Sequence, residues 1–231
     1  MSKPYTPDEL RALCHRFRCD MIDILHSIQT GHPGGSLSAC EIITTLYMNK
    51  MNVDPNNPKW EDRDRFVLSK GHAAPMHYIA LAERGFFPKE ELKNLRQMGH
   101  MLQGHASTLK TPGVDISSGP LGLGLSAAVG MAIAAKTQGK TYTTYCMIGD
   151  GETNEGGIWE ALMSANKFKL DNLVVFLDYN KVQLDGTTEE IMPLLDMPAK
   201  FAAFGMNVIE INGHDLEAVS DAIDKAKAHK G

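Results

Sequence analysis

Apolar residues recur at three- and four-residue steps over residues 7–29: Leu10, Leu13, Phe17, Met21, Ile24, Leu25 and Ile28. That period predicts an amphipathic helix. Thr6 is placed to cap it, with Pro7 at the first helical position and Glu9 three residues after the cap. Residues 30–36, with Gly31, His32, Pro33, Gly34 and Gly35, read as a loop, and residues 37–48 as a second helix. Residues 52–65 are polar and rich in Pro and Asn, and read as an exposed connection whose charged run, 60–65, faces solvent.

Further along, the period alternates between two kinds. Residues 65–69 read as a short strand, followed by Lys70-Gly71-His72 and a helix to about Glu83. Residues 85–118 are irregular, with a small helix near 90–97. Gly119-Pro120-Leu121-Gly122-Leu123-Gly124 opens a helix of small residues that ends near Gly139. Strand 143–149, helix 156–168, strand 172–178, a short helix at 196–203, strand 207–211 and a last helix at 215–228 complete the chain. Strands alternating with helices predict an α/β fold, a parallel sheet with helices on both faces. Leu121, Leu125, Val129 and Ile133 form an apolar stripe that predicts core, as do Trp159, Met163 and Phe168.

Composition narrows the class. A chain of 231 residues suits one large domain. Its net charge of -5, with no Lys/Arg cluster, argues against nucleic acid as a partner. No apolar run reaches membrane-spanning length, and the N-terminus lacks a signal-peptide core, so a cytoplasmic protein is expected. Cys14, Cys19, Cys40 and Cys146 lack zinc-type pairing and read as reduced, buried thiols.

The most chemically informative stretch is 145–186. Two apolar strands end in oxygen-bearing residues, Asp150 and Asn180, with one helix between them. In a parallel sheet that arrangement brings both to the carboxyl edge, where ligands of open α/β sheets bind. A carboxylate and a carboxamide beside Gly149 and Gly151 suit a hard cation holding a diphosphate. Gly-Asp-Gly alone also reads as a plain turn. A calcium loop starting at Asp178 fails, because Val182 and Gln183 occupy positions that need a ligand and a glycine.

These residues resemble the diphosphate-binding signature of thiamine-diphosphate enzymes, and their order resembles transketolase. The chain carries Gly31-His32-Pro33-Gly34, Ser69-Lys70-Gly71-His72, Gly119-Pro120-Leu121-Gly122, Gly149-Asp150-Gly151 and Asn180 in that order. The resemblance implies the thiamine-diphosphate-binding fold and ketol transfer between sugar phosphates. It implies Asp150, Asn180 and the Val182 carbonyl as ligands of Mg2+, with Ca2+ or Mn2+ able to use the same oxygens. The Gly151 N–H would meet the diphosphate, and His72 would also contact the cofactor. Gly119, Pro120 and Leu121 would line its rings. His32 and His105 would face the sugar, although Gln103-Gly104-His105-Ala106 departs from the family's Pro-Gly-His-Pro, and His100 is a nearby competitor. Glu155 resembles an interface glutamate that communicates with the partner's catalytic glutamate. The family's cofactor serves as electron sink, and histidines near neutral pH suit proton transfer to sugar hydroxyls.

The resemblance also implies what lies elsewhere. Residues 1–231 read as a single domain of this type without its last strand. The pyrimidine-binding domain is expected on a separate C-terminal transketolase subunit, in a heterotetramer. Competing readings are a subunit similar to deoxyxylulose-phosphate synthase or a 2-oxo acid dehydrogenase, or a truncated non-catalytic subunit. A nicotinamide-binding domain is a further alternative, because residues 122–127 fit G-x-G-x-x-A. That fingerprint needs a strand just before it.

Overall fold

The computed structural model describes residues 4–230. Three parallel strands, β1 (Arg65–Leu68), β2 (Thr144–Gly149) and β3 (Leu173–Asp178), form a sheet in the order β1-β2-β3. Thr144 lies opposite Arg65 on one side and Leu173 on the other, and Gly149 opposite Asp178. All six residues of the central strand β2 are buried. The apolar runs have that cause, since a strand covered on both faces has no polar side to show.

Helices cover both faces as expected. Phe66, Leu68, Tyr145, Met147 and Val174 join one core with α1 (Pro7–Ile28), α3 (Cys40–Thr45), α4 (Ala74–Arg84) and α9 (Leu216–Ala228). Val67, Cys146 and Ile148 point into the other core, with α5 (Gly124–Thr137), α6 (Gly156–Lys167) and α8 (Met197–Ala203). The alternation follows from the two-residue period of a strand. Thr6 and Glu9 form a complete capping box at the start of α1, and Phe17 is fully buried beneath that helix. Burying such a side chain stabilises by roughly 1.5–3 kcal/mol.

Several expectations need correction. The loop at 30–36 is half helix: α2 runs Pro33–Ser38, because Pro33 has the backbone angle of a first helical residue. The helix expected over 37–48 is broken at Ala39 and ends in a wide π turn, Leu46–Lys50. Residues 207–211 form no strand, since an extended segment needs a ladder partner and none among the described residues supplies it. Val208 and Ile211 are accordingly exposed. Conversely, a small hairpin, β4 (Val182–Gln183) and β5 (Gly186–Thr187), and the single turn α7 (Thr188–Ile191) were not anticipated.

The charged run at 60–65 is not all solvated. Asp64 is buried and accepts from the N–H groups of Asn52 and Thr143, at 2.8 Å each. Arg63 pairs with the buried Asp115 carboxylate. Leu121, Met163 and Phe168 are exposed, whereas Leu125 and Val129 are core and Trp159 packs on Phe201 and Phe204. All four cysteines are free thiols, but Cys19 is exposed. No helix among the described residues is long and apolar enough to cross a membrane.

Candidate functional site

The carboxyl ends of the three strands converge on one edge. Asp150 follows β2 directly and is almost fully buried. Its Oδ1 accepts from the Gly151 N–H at 2.7 Å and its Oδ2 from the Lys181 N–H at 2.6 Å. Burial pushes its carboxyl pKa up; the two N–H donors oppose that shift. Asn180 Oδ1 accepts from the Val182 N–H at 3.0 Å, and Asn180 Nδ2 lies 3.4 Å from Ser38 Oγ. Asp150 and the 180–182 turn are therefore neighbours. Among the described residues, no group of three or more His, Cys, Asp or Glu side chains could hold a metal. One carboxylate, one amide oxygen and a backbone carbonyl make a sparse, all-oxygen set. That set fits a magnesium-like cation that completes its shell with phosphate oxygens and water.

Beside this lies a buried ion pair that motif reading did not reveal. Lys70, 1% exposed, pairs with Asp178, and Ser38 Oγ donates to the same Asp178 oxygen at 2.6 Å. Buried charges persist only when paired, so this network holds the ends of β1 and β3 to the last residue of the Gly-rich helix α2. Lys70 was visible in the Ser-Lys-Gly-His turn, but its partner is 108 residues away. A Cβ at Gly35 would sit 2.7 Å from the His72 ring, so only glycine permits that approach.

Three of the nine histidines gather here. The rings of His32 and His72 meet edge-on with centroids 5.7 Å apart. Burial lowers the His72 pKa to about 4, helped by the positive charge of Lys70 and the proximity of His32 and His105. His105 is also lowered, first by burial and then by Arg96 and His32. Gly119 packs against the His105 ring, at 3.7 Å from the position a Cβ would take. The competitor His100 sits 3.8 Å from Glu91 instead. A neutral His72 keeps one donor and one acceptor nitrogen at pH 7.

The remaining candidates ring this edge. Pro120 and Leu121 are exposed. Glu155 is exposed at the start of α6, and its Cβ lies 2.6 Å from where a Gly122 Cβ would be. The Gly151 N–H donates to Asp150, and the Gln183 side chain lies over Gly151 at 3.2 Å from a Cβ there. Val182 is exposed at the start of the hairpin. Gly122 and Gly124 open α5 from a turn with no strand before it, and Gly124 packs on Ser69. Those glycines serve close packing, and the context of a dinucleotide fingerprint is missing.

The chain matches known proteins over most of its length. Residues 10–231 match the family model described as transketolase, thiamine diphosphate binding domain. A 6-deoxy-6-sulfo-D-fructose transketolase subunit of Clostridium sp. is 47% identical over 210 residues, 91% of this chain and 76% of that protein. An apulose-4-phosphate transketolase subunit of Phocaeicola vulgatus is 45% identical, over 86% of this chain and 70% of that protein. Transketolase from Campylobacter jejuni superposes with a TM-score of 0.92 at 33% identity, over 97% of this chain and 36% of that one.

Proposed function

We propose, for a chain that belongs to the transketolase, thiamine diphosphate binding domain, family, that it is the cofactor-binding subunit of a two-subunit transketolase. Its relatives are transketolases or transketolase subunits, which are transferases, and the chain is of that class. The reaction proposed is transfer of a two-carbon ketol unit from a ketose phosphate to an aldose phosphate. The observation that carries the reading is the meeting of His32, His72 and His105 beside Asp150 and the 180–182 turn.

Thiamine diphosphate, when bound, supplies the electron sink for making and breaking a bond next to a ketose carbonyl. Asp150, Asn180 and the Val182 carbonyl would hold Mg2+, or Ca2+ or Mn2+ in its stead. Gly151 would turn its N–H toward the diphosphate, and neutral His72 would hydrogen-bond the cofactor. Gly119, Pro120 and Leu121 would line its rings. His32 and His105 would hold and move protons at the sugar hydroxyls. Glu155 would face the partner's catalytic glutamate.

The partner proposed is a C-terminal transketolase subunit with the pyrimidine-binding domain, in a heterotetramer. The word subunit in the names of the relatives supports this. So does the apolar rim of Leu121, Leu123, Val182 and Leu184, all exposed, since such surface marks contact sites. Free thiols throughout suit a cytoplasmic location. The test is ketol transfer from xylulose 5-phosphate to ribose 5-phosphate by the chain alone and co-purified with its partner. Activity only with partner, magnesium and thiamine diphosphate is expected; bound cofactor without transfer would move the proposal to other sugars. A chain that, with its partner, neither binds the cofactor nor transfers a ketol unit would overturn the proposal.

A further inference from the structure

Glu152 is 2% exposed and lies in the 3₁₀ turn Gly151–Asn154 that follows β2. Three donors from three separate segments converge on its carboxylate. Ser69 Oγ donates to Oε1 in a short bond. The Gly122 N–H donates to Oε1 at 2.9 Å, and the Gly149 N–H to Oε2 at 3.0 Å. Ser69 opens the turn that carries Lys70 and His72. Gly122 closes the Gly-Pro-Leu-Gly segment and abuts Glu155. Gly149 precedes Asp150.

We infer that Glu152 is a positioning residue of the cofactor site, the buried anchor that keeps these three glycine-bearing segments in register. The inference rests on the reading of this edge as a diphosphate-cofactor site. The Ser69 and Lys70 N–H groups donate to the Met147 carbonyl at 2.9 and 3.2 Å, so the first segment also leans on β2, whereas no backbone hydrogen bond among the described residues ties the Gly-Pro-Leu-Gly segment to either of the other two. A Cβ at Gly124 would collide with the Ser69 side chain, which shows how closely the second segment rides on the first. A shift at any one of them moves cofactor-facing groups on the others.

A carboxylate accepts only, and so satisfies all three donors. An amide cannot. With its oxygen in the Oε1 position, a glutamine turns its NH2 against the Gly149 N–H. Flipped, it turns the NH2 against the Gly122 N–H. Either way one buried backbone donor loses its acceptor. Glu152→Gln therefore preserves volume and removes only the convergence.

The experiment titrates thiamine diphosphate with magnesium into the full chain, co-purified with its partner, as parent, Glu152→Gln and Ser69→Ala. Deuterium exchange of each is followed by mass spectrometry. The expected result is cofactor affinity weakened about tenfold or more in Glu152→Gln. Faster exchange should be confined to peptides around residues 69, 122 and 149, with α1 and α4 unchanged. Affinity within about twofold of the parent overturns the inference. So does faster exchange spread evenly through α1 and α4, which marks general destabilisation. Should Glu152→Gln not fold, Ser69→Ala decides: weaker binding supports positioning and unchanged binding overturns it. A parent that binds no cofactor overturns the functional reading and this inference with it, so the two failures are distinguishable.

Discussion

The backbone N–H of Lys181 donates to the Asp150 carboxylate at 2.6 Å, across 31 residues of chain. This bond joins the end of β2 to the turn after β3, and the Asp150 N–H reinforces it by donating to the Asp178 carbonyl at 3.1 Å. Lys181 takes a left-handed backbone, φ 64°, to make the turn. A lone pair on each carboxylate oxygen stays available while the backbone holds the group still. That is the condition for a rigid metal ligand.

Asp150→Ala is expected to abolish magnesium-dependent binding of thiamine diphosphate. Removing the only carboxylate of the oxygen set leaves an amide and a carbonyl, too little charge for a hard cation. Calorimetric titration with and without magnesium reads this directly. Undiminished affinity would remove Asp150 from the metal set.

His32→Ala is expected to leave cofactor affinity near the parent value and to lower turnover by on the order of 10². His32 meets the His72 ring edge-on and lies beyond it at the start of α2. Steady-state ketol transfer with the partner subunit checks it; equal turnover would make His32 a structural residue.

Acid should weaken the fold well above the carboxylate range. His77 is fully buried, donates to or accepts from Tyr47 Oη at 2.7 Å, and burial lowers its pKa to about 3. The unfolded chain takes up this proton near pH 6.5, whereas the native state refuses it until about pH 3. Stability is thus lost as pH falls through that window and is unaffected above it. The loss is up to about 2 kcal/mol at pH 5 from His77, and His72 adds to it in the same direction. Urea midpoints at pH 7 and pH 5 measure the slope, and His77→Gln should flatten it.

Two glycines of α5 should respond oppositely to alanine. At Gly130 a Cβ meets nothing within 4 Å, so Gly130→Ala should stabilise by about 0.5–1 kcal/mol through helix propensity. At Gly124 a Cβ would lie 2.7 Å from the Ser69 Cα. Backbone cannot swing aside, so overpacking of about 1–3 kcal/mol should exceed any propensity gain. Thermal melts of both variants decide it, and a stabilised Gly124→Ala would contradict this packing.

Much of this molecule could be read along the chain. The 3.6-residue period of Leu10, Leu13, Phe17, Met21 and Leu25 predicts α1, with Thr6 and Glu9 as its cap, and the structure has both. The strands β1, β2 and β3 lie within a residue of their expected bounds, because runs covered on both faces have no competing local pattern. The strand expected at 207–211 failed for the opposite reason. Its alternation is local, but a strand exists only with a partner. Leu121, Met163 and Phe168 satisfied an apolar period yet are exposed, since period says which residues share a face and not what covers it.

At the candidate site the division is sharper. Sequence alone brought Asp150 and Asn180 to one sheet edge, because a helix between two parallel strands leaves both strand ends on the same side. It also carried the ordered motifs that single out His32, His72 and Gly119. Only the tertiary structure put His105 near His72 and Gly119 and His100 beside Glu91, paired Lys70 with Asp178, and brought Ser69 and Gly122 to Glu152. Local periodicity is written by neighbours a few residues apart. The Gly122–Glu152, Ser69–Glu152 and Lys70–Asp178 contacts span 30, 83 and 108 residues and exist only once strand register and helix packing have set where each backbone runs.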